Sequence, residues 1–182
     1  MHKKNIVDLT RITRDDYRRL EKLPLLLLAD NVRSGQNIGS MLRTSDAFMV
    51  REVIMAGISP VPPSAEISKT ALGAEESVGW RYVEDAVEEV KRLKENGVAI
   101  FVLEQIHESI PLQQLDRAIE EVRKDNPDRE ILIVVGNEVN GVDQRIVDLA
   151  DFAIEIPMHG IKHSLNVAVS AGIALWEAYK CL

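Results

Sequence analysis

Six apolar runs of strand length restrict the fold of this chain more than any other feature: PLLLLAD (24–30), REVIMAG (51–57), VGWRYV (78–83), GVAIFVLE (97–104), REILIVVG (129–136) and DFAIEIP (151–157). Several are continuously apolar rather than alternating, as strands covered on both faces are. Helical periodicity falls between them, at 37–49, 84–96, 112–124, 143–150 and 164–180. Strands alternating with helices predict a single α/β domain built on a parallel sheet. The length of 182 residues suits one domain with a proper core. No apolar run approaches the roughly 18 residues of a membrane span, and MHKKNIVDLTR lacks the apolar region of a secretory signal. The single cysteine, Cys181, rules out an internal disulfide framework or a cysteine-rich metal site. These features point to a reduced, cytoplasmic protein with no membrane partner. Thr13 is expected to cap a short basic helix ending before Pro24. Residues 1–22 then form a basic helical extension and 23–182 the main domain.

The net charge of −7 argues against broad nucleic-acid affinity, but the charge is unevenly spread. Residues 1–51 hold ten Lys or Arg against six Asp or Glu, a balance of +4, and the remainder carries −11. A local basic footprint on an acidic body is one reading. A solvated amphipathic helix is the plainer one.

Ligands of open α/β sheets bind beyond the carboxyl ends of the strands, and three such ends are chemically loaded here. After Ala29 comes DNVRSGQNIGSMLRTSDAF. Its Ile38, Met41, Leu42, Ser45, Phe48 and Met49 form one helical stripe, and Arg43 points roughly opposite, between the short side chains Ser40 and Ala47. Asn37 and Gly39 are expected at the helix start, where free N–H groups favour an anion; Asn37 would serve equally well as a plain N-cap. After Val135 comes GNEVNGV, with Gly136 allowing close approach to a flat ligand and Gly141 expected at positive φ. After Ile156 comes PMHGIKHSLNV, where Ser164 is expected to cap the last helix. That helix has almost no polar face and must be buried or packed on a partner. No HExxH and no carboxylates at ligand spacing accompany His159 and His163, so no metal is expected. The proline-rich stretch 59–77 is read as an irregular rim of the site.

Together and in order, these segments resemble the SpoU/TrmH family of RNA ribose 2′-O-methyltransferases, within the SPOUT superfamily. The first motif, an Asn, a Gly two on and an Arg six on, is similar to Asn37, Gly39 and Arg43. The second, Gly-x-Glu-x-x-Gly, matches Gly136, Glu138 and Gly141. The third matches Ile156-Pro-Met158-His-Gly160 and Ser164-Leu165-Asn166-Val167. The resemblance implies a single-domain parallel-sheet SPOUT fold with a C-terminal deep trefoil knot, a departure from the rule that chains stay unknotted. It also implies a homodimer with its site near the interface, S-adenosylmethionine as cofactor, and tRNA or rRNA as substrate.

Carried over by position, Gly136, Ile156, Met158 and Leu165 would hold the adenosine, with Leu103 and Glu104 lining the same pocket. Asn37, Arg43, Glu138, Ser164 and Asn166 would form the reaction centre. Arg43 has the base role in the family, but a free guanidinium does not give up its proton near neutrality. Held by an RNA phosphate and polarising the 2′-OH, it would act instead by electrostatics. RNA recognition would fall to Arg11, Arg14, Arg18, Arg19 and Arg33, helped by Lys22, Arg51 and Lys69. It would be modest and steeply salt-dependent, unless an auxiliary partner delivers the substrate. A base methyltransferase of the same fold and a non-catalytic RNA- or cofactor-binding relative are the competing readings.

Overall fold

The computed structural model describes residues 12–182; Arg11 lies outside the described residues. In chain order the elements are α1 (Arg14–Arg19), β1 (Leu23–Asp30), α2 (Gly35–Ala47), β2 (Val50–Ala56), α3 (Ala65–Ala71), β3 (Gly79–Val83), α4 (Ala86–Glu95), β4 (Ala99–Leu103), β5 (Ile110–Pro111), α5 (Leu115–Arg123), β6 (Ile131–Val135), α6 (Gln144–Val147), β7 (Phe152–Glu155) and α7 (Val167–Cys181). All six apolar runs are strands, and they join one parallel sheet in the order β3-β2-β1-β6-β4-β7-β5. The seventh strand is only two residues long, too short for a periodic signal, and pairs with β7 through Ile110 and Ile154.

Alternate residues of the apolar runs serve two cores. Leu25, Leu27 and Ala29 of β1 face α2, α3, α5 and α7, while Leu26 and Leu28 face α4 and α6. Burial on both faces explains why β1, β4 and β6 do not alternate with polar residues. The expected stripe on α2 is buried from Ile38 to Ser45.

Four helix boundaries differ from expectation. Thr13 caps α1 as predicted, accepting from the Asp16 amide, but the helix stops at Arg19 because the chain turns to enter β1, where the Leu23 amide reaches Met49 O. Ser34, not Asn37, caps α2 and accepts from the Asn37 amide, which places Asn37 in the first turn. Asn166, not Ser164, caps α7, its Oδ1 accepting from the amides of Ala168 and Val169. Only one turn, α6, forms within 143–150, capped by Asp143. The stretch 59–77 is also more ordered than a rim. It holds α3 and a 3-10 turn at Ala74–Glu76, and α3 packs on α2 at Gly35 and Gly39, Gly39 leaving room for its backbone and Gly35 for the Glu66 side chain.

Strand order places four carboxyl ends side by side, those of β1, β6, β4 and β7. The three loaded ends therefore share one edge of the sheet, with the end of β4 between two of them.

Candidate functional site

A cleft of about 490 Å³ opens over the ends of β6, β4 and β7, within the range of small-molecule sites. Its lining includes Leu103, Glu104, Gly136, Ile156, Met158 and Leu165. Glu138, Ser164 and Asn166 stand on the same rim. Apolar side chains from separate loops thus face each other across a gap edged by polar groups.

The loop between β6 and α6 owes its shape to Asn137. Its Oδ1 accepts from the amides of Val139 and Asn140, and its backbone exchanges hydrogen bonds with Gly141 at 3.0 and 2.9 Å. Gly141 has φ +71°, as expected. The need for glycine at 136 differs from the sequence-based reason. A side chain there would overlap the backbone of Gly141 and Val142, so the loop itself, before any ligand, excludes a Cβ.

Glu138 reaches from this loop to the start of α2. It accepts from the Arg33 amide at 3.1 Å, the Ser34 amide at 3.3 Å and Asn37 Nδ2 at 3.0 Å. The anion expected at this helix terminus is therefore the protein's own carboxylate. Burial alone would raise its pKa; the hydrogen bonds from Arg33, Asn37 and Ser34 hold it below the usual glutamate range. Asn37 Oδ1 in turn accepts from Asn166 Nδ2 at 3.0 Å. Glu138, Asn37 and Asn166 form one hydrogen-bonded line across the three motif segments.

Arg43 stands apart. It is exposed on α2, about 9 Å along the axis from Asn37, and makes no hydrogen bond or ion pair with a described residue. Ser164 is exposed and likewise unpaired among the described residues. The basic residues divide. Arg14 pairs with Glu76, Arg18 donates to the Glu76 carbonyl, Lys22 lies over the Tyr17 ring, and Arg51 pairs with Glu130. Arg19, Arg33 and Lys69 have side chains without a polar partner among the described residues.

Three polar residues at the site escaped the sequence reading of roles. Asp30, 2% exposed, ends β1 and accepts from the Asp143 amide at 3.0 Å and from Asn31 Nδ2 at 2.7 Å. Asn31, at φ +55°, offers its carbonyl to Asn137 Nδ2 at 2.7 Å. Gln105 donates to the His163 carbonyl, tying the loop after β7 to the end of β4. The available signal was a polar residue directly ending a buried apolar run. Among the described residues no cluster suits a metal ion, and no helix is long and apolar enough to cross a membrane.

The model of the SpoU rRNA Methylase family matches residues 24–176. The 23S rRNA (guanosine-2'-O-)-methyltransferase RlmB of Vibrio vulnificus is 32% identical over 166 residues, 91% of this chain and 63% of its own length. The enzyme of the same name from Neisseria meningitidis is 32% identical over 163 residues, 90% of this chain and 61% of its own. This chain thus spans about three fifths of the curated relatives it matches. Among solved structures, the A. aeolicus TrmH/SpoU tRNA modifying enzyme superposes with a TM-score of 0.77 at 30% identity, covering 92% of this chain and 81% of that one.

Proposed function

The chain belongs to the SpoU rRNA methylase family, and from that premise we propose that it transfers a methyl group from S-adenosylmethionine to a ribose 2′-OH of a structured RNA, ribosomal or transfer. The observation that carries this reading is the Glu138–Asn37–Asn166 line beside the cleft. It joins the start of α2, which leads to Arg43, to the loops that edge the cleft.

The cleft suits the cofactor. Leu103, Ile156, Met158 and Leu165 offer apolar faces to a flat base, and the main chain at Gly136 is close by. S-adenosylmethionine would supply an electrophilic sulfonium methyl there; the 2′-oxygen would take it as the carbon–sulfur bond breaks, and the hydroxyl proton would pass to solvent. The protein's share is alignment and charge. Asn37 and Glu138 fix the first turn of α2, and Ser164 and Asn166 face the same rim. Arg43 has no partner among the described residues to hold it back from an RNA phosphate, and from there it polarises the 2′-OH and steadies the developing alkoxide. Arg19 and Arg33 are the readiest further RNA contacts. Arg14 and Arg18 would first exchange Glu76 for phosphate, and Arg11 belongs to the same basic stretch.

Radiolabelled S-adenosylmethionine incubated with total tRNA and, separately, with rRNA tests the reaction after digestion to nucleosides. A 2′-O-methyl nucleoside in one pool is expected. Label on a base, or cofactor binding without transfer, would overturn it in favour of the competing readings. Arg43→Lys is expected to lower kcat about 100-fold while leaving cofactor affinity near wild type, because a point charge does not reproduce the planar fork. Near-normal turnover would remove Arg43 from the reaction centre.

The same reading includes a homodimer. Val169, Ile173, Trp176 and Tyr179 of α7 are 36–51% exposed, and Phe48 packs against the last two rings. This apolar face borders Ser40 and Thr44 of α2, so a second copy seated there would lie beside Arg43. Trp176→Glu is expected to shift sedimentation from dimer to monomer mass; an unchanged mass would place the interface elsewhere. The family's trefoil knot in the C-terminal segment, a cytoplasmic location and an auxiliary RNA-binding partner complete the proposal. The net charge of −7, which predicts modest RNA affinity, is the argument for that partner.

A further inference from the structure

The loop 136–143 carries two roles at once, because Gly136 borders the cleft and Glu138 braces α2. Its near end is fixed by β6 and by the Asn137 turn. Its far end is fixed by two carboxylates from the strands on either side of β6. Glu104, at the end of β4, accepts from the Val142 amide at 3.0 Å, and Asp30, at the end of β1, accepts from the Asp143 amide at 3.0 Å. Successive main-chain amides are thus held from opposite sides.

Asp30 is the costlier of the two. It is 2% exposed at the end of β1, on the face that carries Leu26 and Leu28, and a buried carboxylate is unfavourable unless each oxygen is used. Both are. Oδ2 takes the Asp143 amide and Oδ1 takes Asn31 Nδ2. The Asn31 amide cannot turn round, because its Oδ1 accepts from the Ile58 amide at 3.1 Å. Asp30 therefore meets N–H donors at both oxygens. Apolar packing alone would be served better by valine or leucine.

We propose that Asp30 is a positioning residue for methyl transfer: its carboxylate fastens the far end of loop 136–143 to β1 and so sets Gly136 for the cofactor and Glu138 for the reaction centre. The proposal rests on the methyltransferase reading. Asp30 touches neither reactant. It acts through the loop, and Asn31 reinforces it by receiving Asn137 Nδ2.

Asp30→Asn is the informative substitution. The amide has nearly the same shape, yet in either orientation its NH2 meets a donor, Asn31 Nδ2 or the Asp143 amide. Titration of the variant with S-adenosylmethionine is expected to show unchanged stoichiometry and a Kd raised roughly tenfold or more, with kcat on the accepted RNA lowered as well. Adding Asn31→Gly keeps the left-handed backbone and removes the opposing amide, and should recover part of both losses. Wild-type Kd and kcat in Asp30→Asn would overturn the proposal. So would fewer binding sites at unchanged Kd and kcat per site, the mark of a purely structural part. Hydrogen exchange on the wild-type protein needs no variant. The Asp143 amide should be protected like the amides of β6, and unprotected exchange there would also overturn the proposal. Wild-type protein that binds no S-adenosylmethionine would overturn the methyltransferase reading itself, a failure visible before any substitution is made.

Discussion

Replacing Gly39 with alanine is expected to lower the melting temperature by roughly 2–8 °C, although alanine is the better helix former. In an exposed helix the change would stabilise by about 1 kcal/mol. Gly39 is fully buried where α3 crosses α2, and a Cβ there would overlap the Thr70 hydroxyl and the Ile67 carbonyl and stand 3.0 Å from the Ala71 amide. Two of these are backbone atoms, and Thr70 is itself held by its hydrogen bond to the Gln36 carbonyl at 2.9 Å. Neither neighbour can turn aside, so the helices must part. Overpacking of this kind costs typically 1–3 kcal/mol and occasionally more, which outweighs the propensity gain. Thermal unfolding by circular dichroism checks it. A melting temperature equal to or above wild type would show that α3 yields. The glycine of the first motif is thus a packing requirement that sets the start of α2, and its functional effect would follow from that.

How much of this was legible beforehand depended on whether a signal was local. Strands β1, β4 and β6 and the parallel sense of the sheet followed from continuous apolar runs, since only a sheet covered on both faces uses them. The three loaded strand ends were visible as polar residues ending apolar runs. That they share one edge was not, because runs such as LLLLA and ILIVV carry no label saying which lies beside which. Helix α3 has seven residues between prolines and a Leu-Gly turn, too few for periodicity to stand out. The caps failed for a different reason. Ser34 and Asn37, like Ser164 and Asn166, are pairs in which either residue can cap, and the choice was made by tertiary contacts. Asn37 is taken by Glu138, and Asn166 caps α7 with its oxygen while its NH2 serves Asn37. Asp30 was overlooked because a single acid at a strand end looks like an ordinary turn residue. Only the structure shows it buried, its pKa pushed up by burial against the pull of Asp143 and Asn31.

Asn37→Asp, a change of one atom, is expected to cost activity about 100-fold at neutral pH and to recover part of it on acidification. Asn37 lies in the first turn of α2, where an acid ordinarily gains about 0.3–1 kcal/mol from the helix dipole. Here the dipole already has its anion. Asn37 donates to Glu138 at 3.0 Å, and an aspartate would set a second carboxylate against the first. The lost hydrogen bond to a charged acceptor is worth about 1.5–3 kcal/mol, and repulsion at this spacing adds about 1 kcal/mol even in water. Loss therefore exceeds gain, the Arg33–Asn37 turn shifts, and a displacement of about 1 Å near the reacting atoms suffices for the stated fall. The pH dependence gives the sign. Wild-type Glu138 is held below its usual pKa, so its bracing is complete above the usual glutamate value of about 4.3 and fades only below it. Two facing carboxylates share a proton, which raises one pKa. In the variant the protonated member becomes a donor again as the pH falls from 7.5 toward about 5.5, across which wild-type Glu138 stays ionised. The ratio of wild-type to variant kcat should therefore shrink over that interval. A ratio independent of pH would mean that Asn37 and Glu138 are not in contact during the reaction.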